Sequence, residues 1–118
     1  MIFPAFFALI VGSGMIVQWG ISFTRRQIPE LETEPIRIAF HLAGEMVTAL
    51  MLLVSGLGIL LGSSWAVPLY SIGTGMLLYT AIVSPGYFAQ RGQWIWLVIF
   101  AIIIMLALWS SIVVNTAT

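Results

Sequence analysis

Within RIAFHLAGEMVTALMLLVSG, residues 37–56, an imidazole and a carboxylate stand four positions apart in a stretch otherwise suited to lipid. On a helix, His41 and Glu45 project from the same face. The stripe runs on through Thr48, Leu52 and Ser55, with Gly44 and Gly56 beside it. Histidine changes charge near neutral pH, and an ionisable group inside a membrane span marks a proton or ion pathway by default. A charged side chain at the centre of a spanning helix costs about 2.5 to 3.5 kcal/mol on insertion scales, so such acids face a bundle interior or a cavity. The sequence therefore predicts that Glu45 faces inward and shares a proton or a hydrogen bond with His41. Thr48 on the same helix, Gln18 on the helix before and Thr74 on the helix after are the expected polar companions. A plainer role for the same five residues is interhelical glue, at about 0.6 kcal/mol per hydrogen bond.

Other chemistries lack their residues. The chain has one histidine and no cysteine, whereas a catalytic zinc takes three protein ligands, and one histidine supplies a single axial position to a haem. No metal site and no cofactor are expected. Without aspartate or lysine, the histidine has no orienting aspartate for a serine triad and no phosphate-loop lysine exists. The expectation is a protein that is not an enzyme. Four arginines balance four glutamates, giving a net charge of zero, so no nucleic-acid partner is expected, since phosphate neutralisation needs a basic surface.

The elements that must position the pair follow from composition. Of 118 residues, 61% are hydrophobic and 7% charged, with a mean hydropathy of +1.12; a soluble domain carries about 25% charged residues. The expected surroundings are a lipid bilayer. Four windows, residues 2–23, 36–61, 66–83 and 93–114, approach or exceed the roughly 20 apolar residues that span hydrocarbon. The fold class predicted is all-α: a polytopic four-transmembrane-helix bundle of two parallel helical hairpins, residues 1–118 forming one integral-membrane domain. The first window has no basic residue before it and no small-residue cleavage site, so it reads as a retained helix, not a signal peptide.

Pro29 and Pro35 punctuate the first connection, and Pro35 suits the first turn of the second helix, with Thr33 or Glu34 as its cap. GSSW makes a tight second turn. Ser84-Pro85-Gly86 has the order of a type II turn. Arg25, Arg26 and Arg37 flank the first connection and Arg91 lies in the third, while the opposite side has none. By the positive-inside rule, these connections are cytoplasmic and both termini non-cytoplasmic. Trp19, Tyr87, Trp94 and Trp96 would form one aromatic belt, and Trp65, Tyr70 and Trp109 the other. Glu30, Glu32 and Glu34 among the arginines read as a solvated, self-paired loop. Gly58 and Gly62 form a GxxxG pattern, and Gly73 and Gly75 flank Thr74; all four are expected at helix contacts.

The function expected is that of a small non-enzymatic membrane protein: a proton- or ion-coupled transporter or channel using the His41–Glu45 pair. A bundle this small would form a conduction path between copies, hence a homo-oligomer. The alternative is an accessory or assembly subunit of a larger membrane complex, whose partners would be other membrane subunits. The location expected is the plasma or inner membrane, multi-pass.

Overall fold

A computed structural model describes residues 2–24, 30–90 and 92–116, with the backbone alone at residues 30, 31 and 86–88. Arg25, Arg26, Pro29 and Arg91, on which most of the orientation argument rests, lie outside the described residues, as does the Tyr87 side chain. The elements are α1 (Ile2–Thr24), α2 (Glu30–Thr33), α3 (Pro35–Leu60), α4 (Ala66–Val83), α5 (Pro85–Gln90) and α6 (Ile95–Thr116). Among the described residues there are no strands. Four of the helices, α1, α3, α4 and α6, are long and apolar enough to cross a membrane. Their ends differ from the sequence windows by at most two residues. The long dimension of the molecule, 46 Å, exceeds a hydrocarbon thickness of about 30 Å.

The four long helices pack in chain order. α1 lies along α3, α3 along α4 and α4 along α6, and a thinner contact between α6 and α1 closes the ring. The start of α1, the end of α6 and the α3–α4 turn are at one end, here the termini end. The helices α2 and α5 are at the other, the connection end. Core positions alternate with outward Ile, Leu, Val and Phe on every long helix, the pattern of a bundle whose outer face meets lipid. The core runs from Phe7 and Ala8 of α1 through Leu52 of α3 and Tyr70 and Leu77 of α4 to Ala107 and Val114 of α6.

Glycine brings α1 and α3 together. A methyl group at Gly12 would meet the Ala49 carbonyl oxygen and Leu53 Cγ, each at 3.0 Å. One at Gly56 would meet the Ala5 carbonyl oxygen at 3.1 Å and Leu9 Cγ at 3.2 Å. Each helix thus offers a glycine to the other's backbone, which permits close approach without a hydrophobic driving force.

The four glycines expected at helix contacts divide by role. Gly58 packs most tightly, with Trp65 ring carbons 2.7 Å and Ala66 Cβ 2.9 Å from where its Cβ would be. Gly73 makes ordinary contact with Met51 and Leu52. Gly75 has open space beside it. Gly62 lies beyond the end of α3 at φ +71°, donating to Ile59 O at 3.1 Å while Ser63 N–H donates to Gly58 O at 2.9 Å. Those two bonds define a Schellman motif with a left-handed glycine at C′. The GxxxG pattern therefore combines a packing glycine with a helix-stopping one.

Three local details depart from the sequence reading. Pro35 does open α3, but the Glu34 side chain makes no capping hydrogen bond. Its carboxylate pairs with Arg37 at 3.3 Å instead. Ser84-Pro85-Gly86 opens the short helix α5 in place of a type II turn, because Ser84 is in the helical region and proline is tolerated in a first turn. Tyr70 is fully buried, not part of an interfacial belt, because its hydroxyl finds the Pro4 carbonyl oxygen at 3.1 Å.

Candidate functional site

Ten residues into α3 from Pro35, or about 15 Å along the axis, Glu45 is 5% exposed. Among the described residues it is the one carboxylate, imidazole or guanidinium that is buried. Its Oε1 lies 3.7 Å from His41 Nε2, inside ion-pair range but longer than a hydrogen bond. The two side chains differ in access: 39% of His41 is exposed against 6% of Glu45. His41 is one helical turn nearer the connection end, so it stands between the carboxylate and that end.

A neighbour that the sequence reading assigned to an interfacial belt completes the arrangement. Trp19 of α1 places its ring edge-on to His41, centroids 5.8 Å apart and planes at 76°, and its indole also approaches the Glu45 carboxylate. The imidazole is thus held from the side by an aromatic ring and from below by a carboxylate. The available signal was that Trp19 falls seven residues after Gly12, on the same face of α1, and Gly12 is where α1 touches α3.

On the other side of the pair, a groove of about 750 Å³ opens between α3 and α4. From α3 it is lined by Arg37, Phe40, His41, Gly44, Glu45 and Thr48. Ile72, Gly75, Met76, Tyr79, Thr80 and Val83 of α4 form the opposite wall. Gly44 and Gly75 line the groove with nothing within 4 Å of a would-be Cβ, so no side chain from either position fills it. The groove thus runs from Arg37 at the helix end to Thr48, past both members of the pair.

Of the five expected site residues, the structure brings His41, Glu45 and Thr48 to this groove. Thr48 spends its donor on Gly44 O at 2.8 Å, leaving its oxygen lone pairs toward the site. Gln18 is half-buried beside Trp19 and makes no hydrogen bond among the described residues. Thr74 is buried elsewhere, next to the Tyr70 hydroxyl. Among the described residues, no cluster of three metal-ligating side chains occurs.

A family model described as a domain of unknown function, DUF8058, matches residues 2–117. The chain belongs to the DUF8058 family. The match extends over all four spanning helices of this DUF8058 domain, the groove and the His41–Glu45 pair included. No curated protein and no solved structure matches it.

Proposed function

We propose that this small multi-pass membrane protein moves a proton or a small cation, with Glu45 as the group that takes it up and releases it. The observation that carries the reading is a single ionisable carboxylate, 5% exposed, at the wall of a groove that continues to Arg37 at the helix end. An acid buried at that depth is costly, and a groove that hydrates it from one end makes the cost tolerable. His41, half-exposed and one turn nearer that end, is the natural relay between Glu45 and water. Trp19 holds the imidazole in place. The role is non-enzymatic: binding and release, with no bond made or broken beyond the transferred proton.

The orientation belongs to the same proposal. Arg37 marks the connection end, and in the sequence Arg25 and Arg26 follow α1 while Arg91 follows α5. By the positive-inside rule, the groove then opens to the cytoplasm of a plasma or inner membrane, and both termini face away from it. Because the groove is lined from within one chain, uptake at Glu45 needs no second copy. Copies packed along its open side would shield it from lipid, and that homo-oligomer is part of the proposal.

The test is proton uptake into proteoliposomes under a pH gradient, comparing the native protein with Glu45→Gln. Loss of at least tenfold in flux, with the protein still helical and monodisperse, is expected. Flux unchanged by the substitution would remove Glu45 from the path. Native mass spectrometry from the source membrane separates the second reading. Fixed association with other chains would make the protein an accessory subunit, and His41 and Glu45 its packing residues.

A further inference from the structure

The groove beside Glu45 is far larger than a proton or a bare metal ion requires. Its volume of about 750 Å³ falls within the range of about 300 to 1,000 Å³ typical of sites for small organic ligands. From Arg37 to Thr48 it follows α3 for about 16 Å at about 1.5 Å per residue. The walls are mostly apolar, with Phe40, Ile72, Met76, Tyr79 and Val83 supplying most of the bulk. Phe40, Ile72 and Tyr79 are 78%, 56% and 69% exposed. The groove is therefore open along its side as well as at its end, and in a bilayer that side meets lipid.

One group in it is out of keeping with those walls. The Glu45 side chain is 6% exposed and lines the groove. A carboxylate has about four acceptor sites. His41 Nε2 stays 3.7 Å away, beyond hydrogen-bond length, and the Trp19 indole has a single N–H to give. Acceptor capacity is left over, in a cleft with little else that is polar.

At the same depth, the opposite wall presents an aromatic side chain. α3 and α4 are antiparallel, and Gly73 abuts Met51. Six residues back from Met51 is Glu45, and six on from Gly73 is Tyr79, so the two are level on facing walls. A carboxylate level with an aromatic ring in an apolar cleft suits an alkylated ammonium. The carboxylate supplies the countercharge, and a ring face attracts such cations within about 6 Å.

Other occupants fit less of this. A hard divalent cation takes about six or more oxygen ligands, and no cluster of three metal-ligating side chains occurs among the described residues. A lipid acyl chain would match the walls but seal the carboxylate in hydrocarbon without a partner, which is a costly burial. An anionic headgroup would meet Glu45 as a like charge. Arg37 at the mouth is a weak barrier to a cation, because it is 81% exposed and paired with Glu34 at 3.3 Å.

We propose that the groove between α3 and α4 binds an organic cation, an alkylated ammonium on an apolar body. Its charge lies at Glu45, between the carboxylate and Tyr79, and its body lies against Phe40, Ile72 and Met76. Binding stands on the groove itself; exchange of the cation for a proton rests on the Glu45 reading. In that exchange the neutral carboxyl gives up one proton as one monovalent cation arrives, so charge balances.

The probe is phenylbutyltrimethylammonium, compared with the neutral isostere in which a tert-butyl group replaces the trimethylammonium. Calorimetric titration into the protein in nanodiscs of zwitterionic lipid reads both, with empty nanodiscs as the blank for partitioning. The cation should bind at least tenfold more tightly than the isostere, and Glu45→Gln should remove that preference. Equal binding of the two ligands, or a preference that survives Glu45→Gln, overturns the proposal. Gly75→Leu puts a side chain into the groove from a position with nothing within 4 Å of its would-be Cβ, so it tests the site without a clash in the bundle. It should weaken the cation at least fivefold, and unchanged affinity overturns the groove as the site. Proton flux into proteoliposomes separates the two readings. If the cation binds as expected while Glu45→Gln leaves flux unchanged, the Glu45 reading fails and the binding site stands. If Glu45→Gln abolishes flux but the cation binds no better than the isostere, this proposal fails and the Glu45 reading stands.

Discussion

Two glycines two residues apart on α1 should respond differently to the same substitution. Gly12 faces α3, where an added Cβ would lie 3.0 Å from the Ala49 carbonyl oxygen, 3.0 Å from Leu53 Cγ and 3.2 Å from Leu53 Cδ2. Gly14 faces outward, with nothing within 4 Å. In a helix interior, Gly→Ala gains about 1 kcal/mol from restricted backbone freedom, and both sites collect that gain equally. Leu53 can rotate, but the Ala49 carbonyl belongs to the backbone of α3 and yields only if the helices separate. Overpacking of this kind costs about 1 to 3 kcal/mol. Gly14→Ala should therefore stabilise by about 1 kcal/mol, and Gly12→Ala should be neutral to about 2 kcal/mol destabilising once the gain is subtracted from the overpacking cost. The expected gap of about 1 to 3 kcal/mol is free of helix propensity, because both residues sit in one helix and change identically. Unfolding from mixed micelles into SDS, followed by far-UV circular dichroism, measures it. If the two variants fell within about 0.5 kcal/mol of each other, below the smallest packing cost, α1 would not approach α3 through Gly12, and the seat of Trp19 against His41 would lose its basis.

Other substitutions probe single contacts. Tyr70→Phe removes the hydroxyl that joins α4 to the Pro4 carbonyl of α1. It should cost about 0.6 kcal/mol and no more than about 1.7 kcal/mol in the same assay, the range of interhelical bonds in membranes. Arg37→Gln breaks an exposed i,i+3 pair with Glu34, side chains 81% and 49% exposed, and should shift stability by less than about 0.5 kcal/mol. A larger loss would mean that Arg37 is bound into the groove more firmly than its ion pair indicates.

The spans were legible because hydrocarbon imposes a length and a composition, and α1, α3, α4 and α6 obey both. The stripe His41, Glu45, Thr48 was legible because a helix fixes which residues share a face. What the stripe faces was not. Gln18 and Thr74 were both plausible partners by depth, yet it is Trp19 that reaches Glu45, since the close approach at Gly12 turns that face of α1 toward α3. Tyr70 shows the same limit in reverse. Its place near a helix end suited an aromatic belt, but the rotation of α4 was set by Gly73 and Leu77 packing inward, which carried Tyr70 into the core with them. Gly62 was misjudged by a different route: spacing alone cannot separate a glycine that packs from one that adopts positive φ, and only the two hydrogen bonds of the Schellman motif do so.

The polar groups of this bundle are distributed unevenly along its axis, and the unevenness bears on function. Toward the connection end the polar wall is ionisable: Arg37, His41 and Glu45 line an open groove whose two glycines, Gly44 and Gly75, hold no side chain in the way. Toward the termini end the buried polar groups are hydroxyls, and Ser55, Ser110 and Tyr70 are each tied to a carbonyl. Tight packing at Gly56 and Gly58 seals the spaces between them. A site open from one end and closed at the other is the arrangement of a binding step, not of a continuous pore. If the protein moves protons as proposed, the closed half must open or protons must pass it singly. A steady conductance with the single-channel character of an open pore would contradict this asymmetry; under the proposed role, the flux expected is slow, saturable and dependent on Glu45.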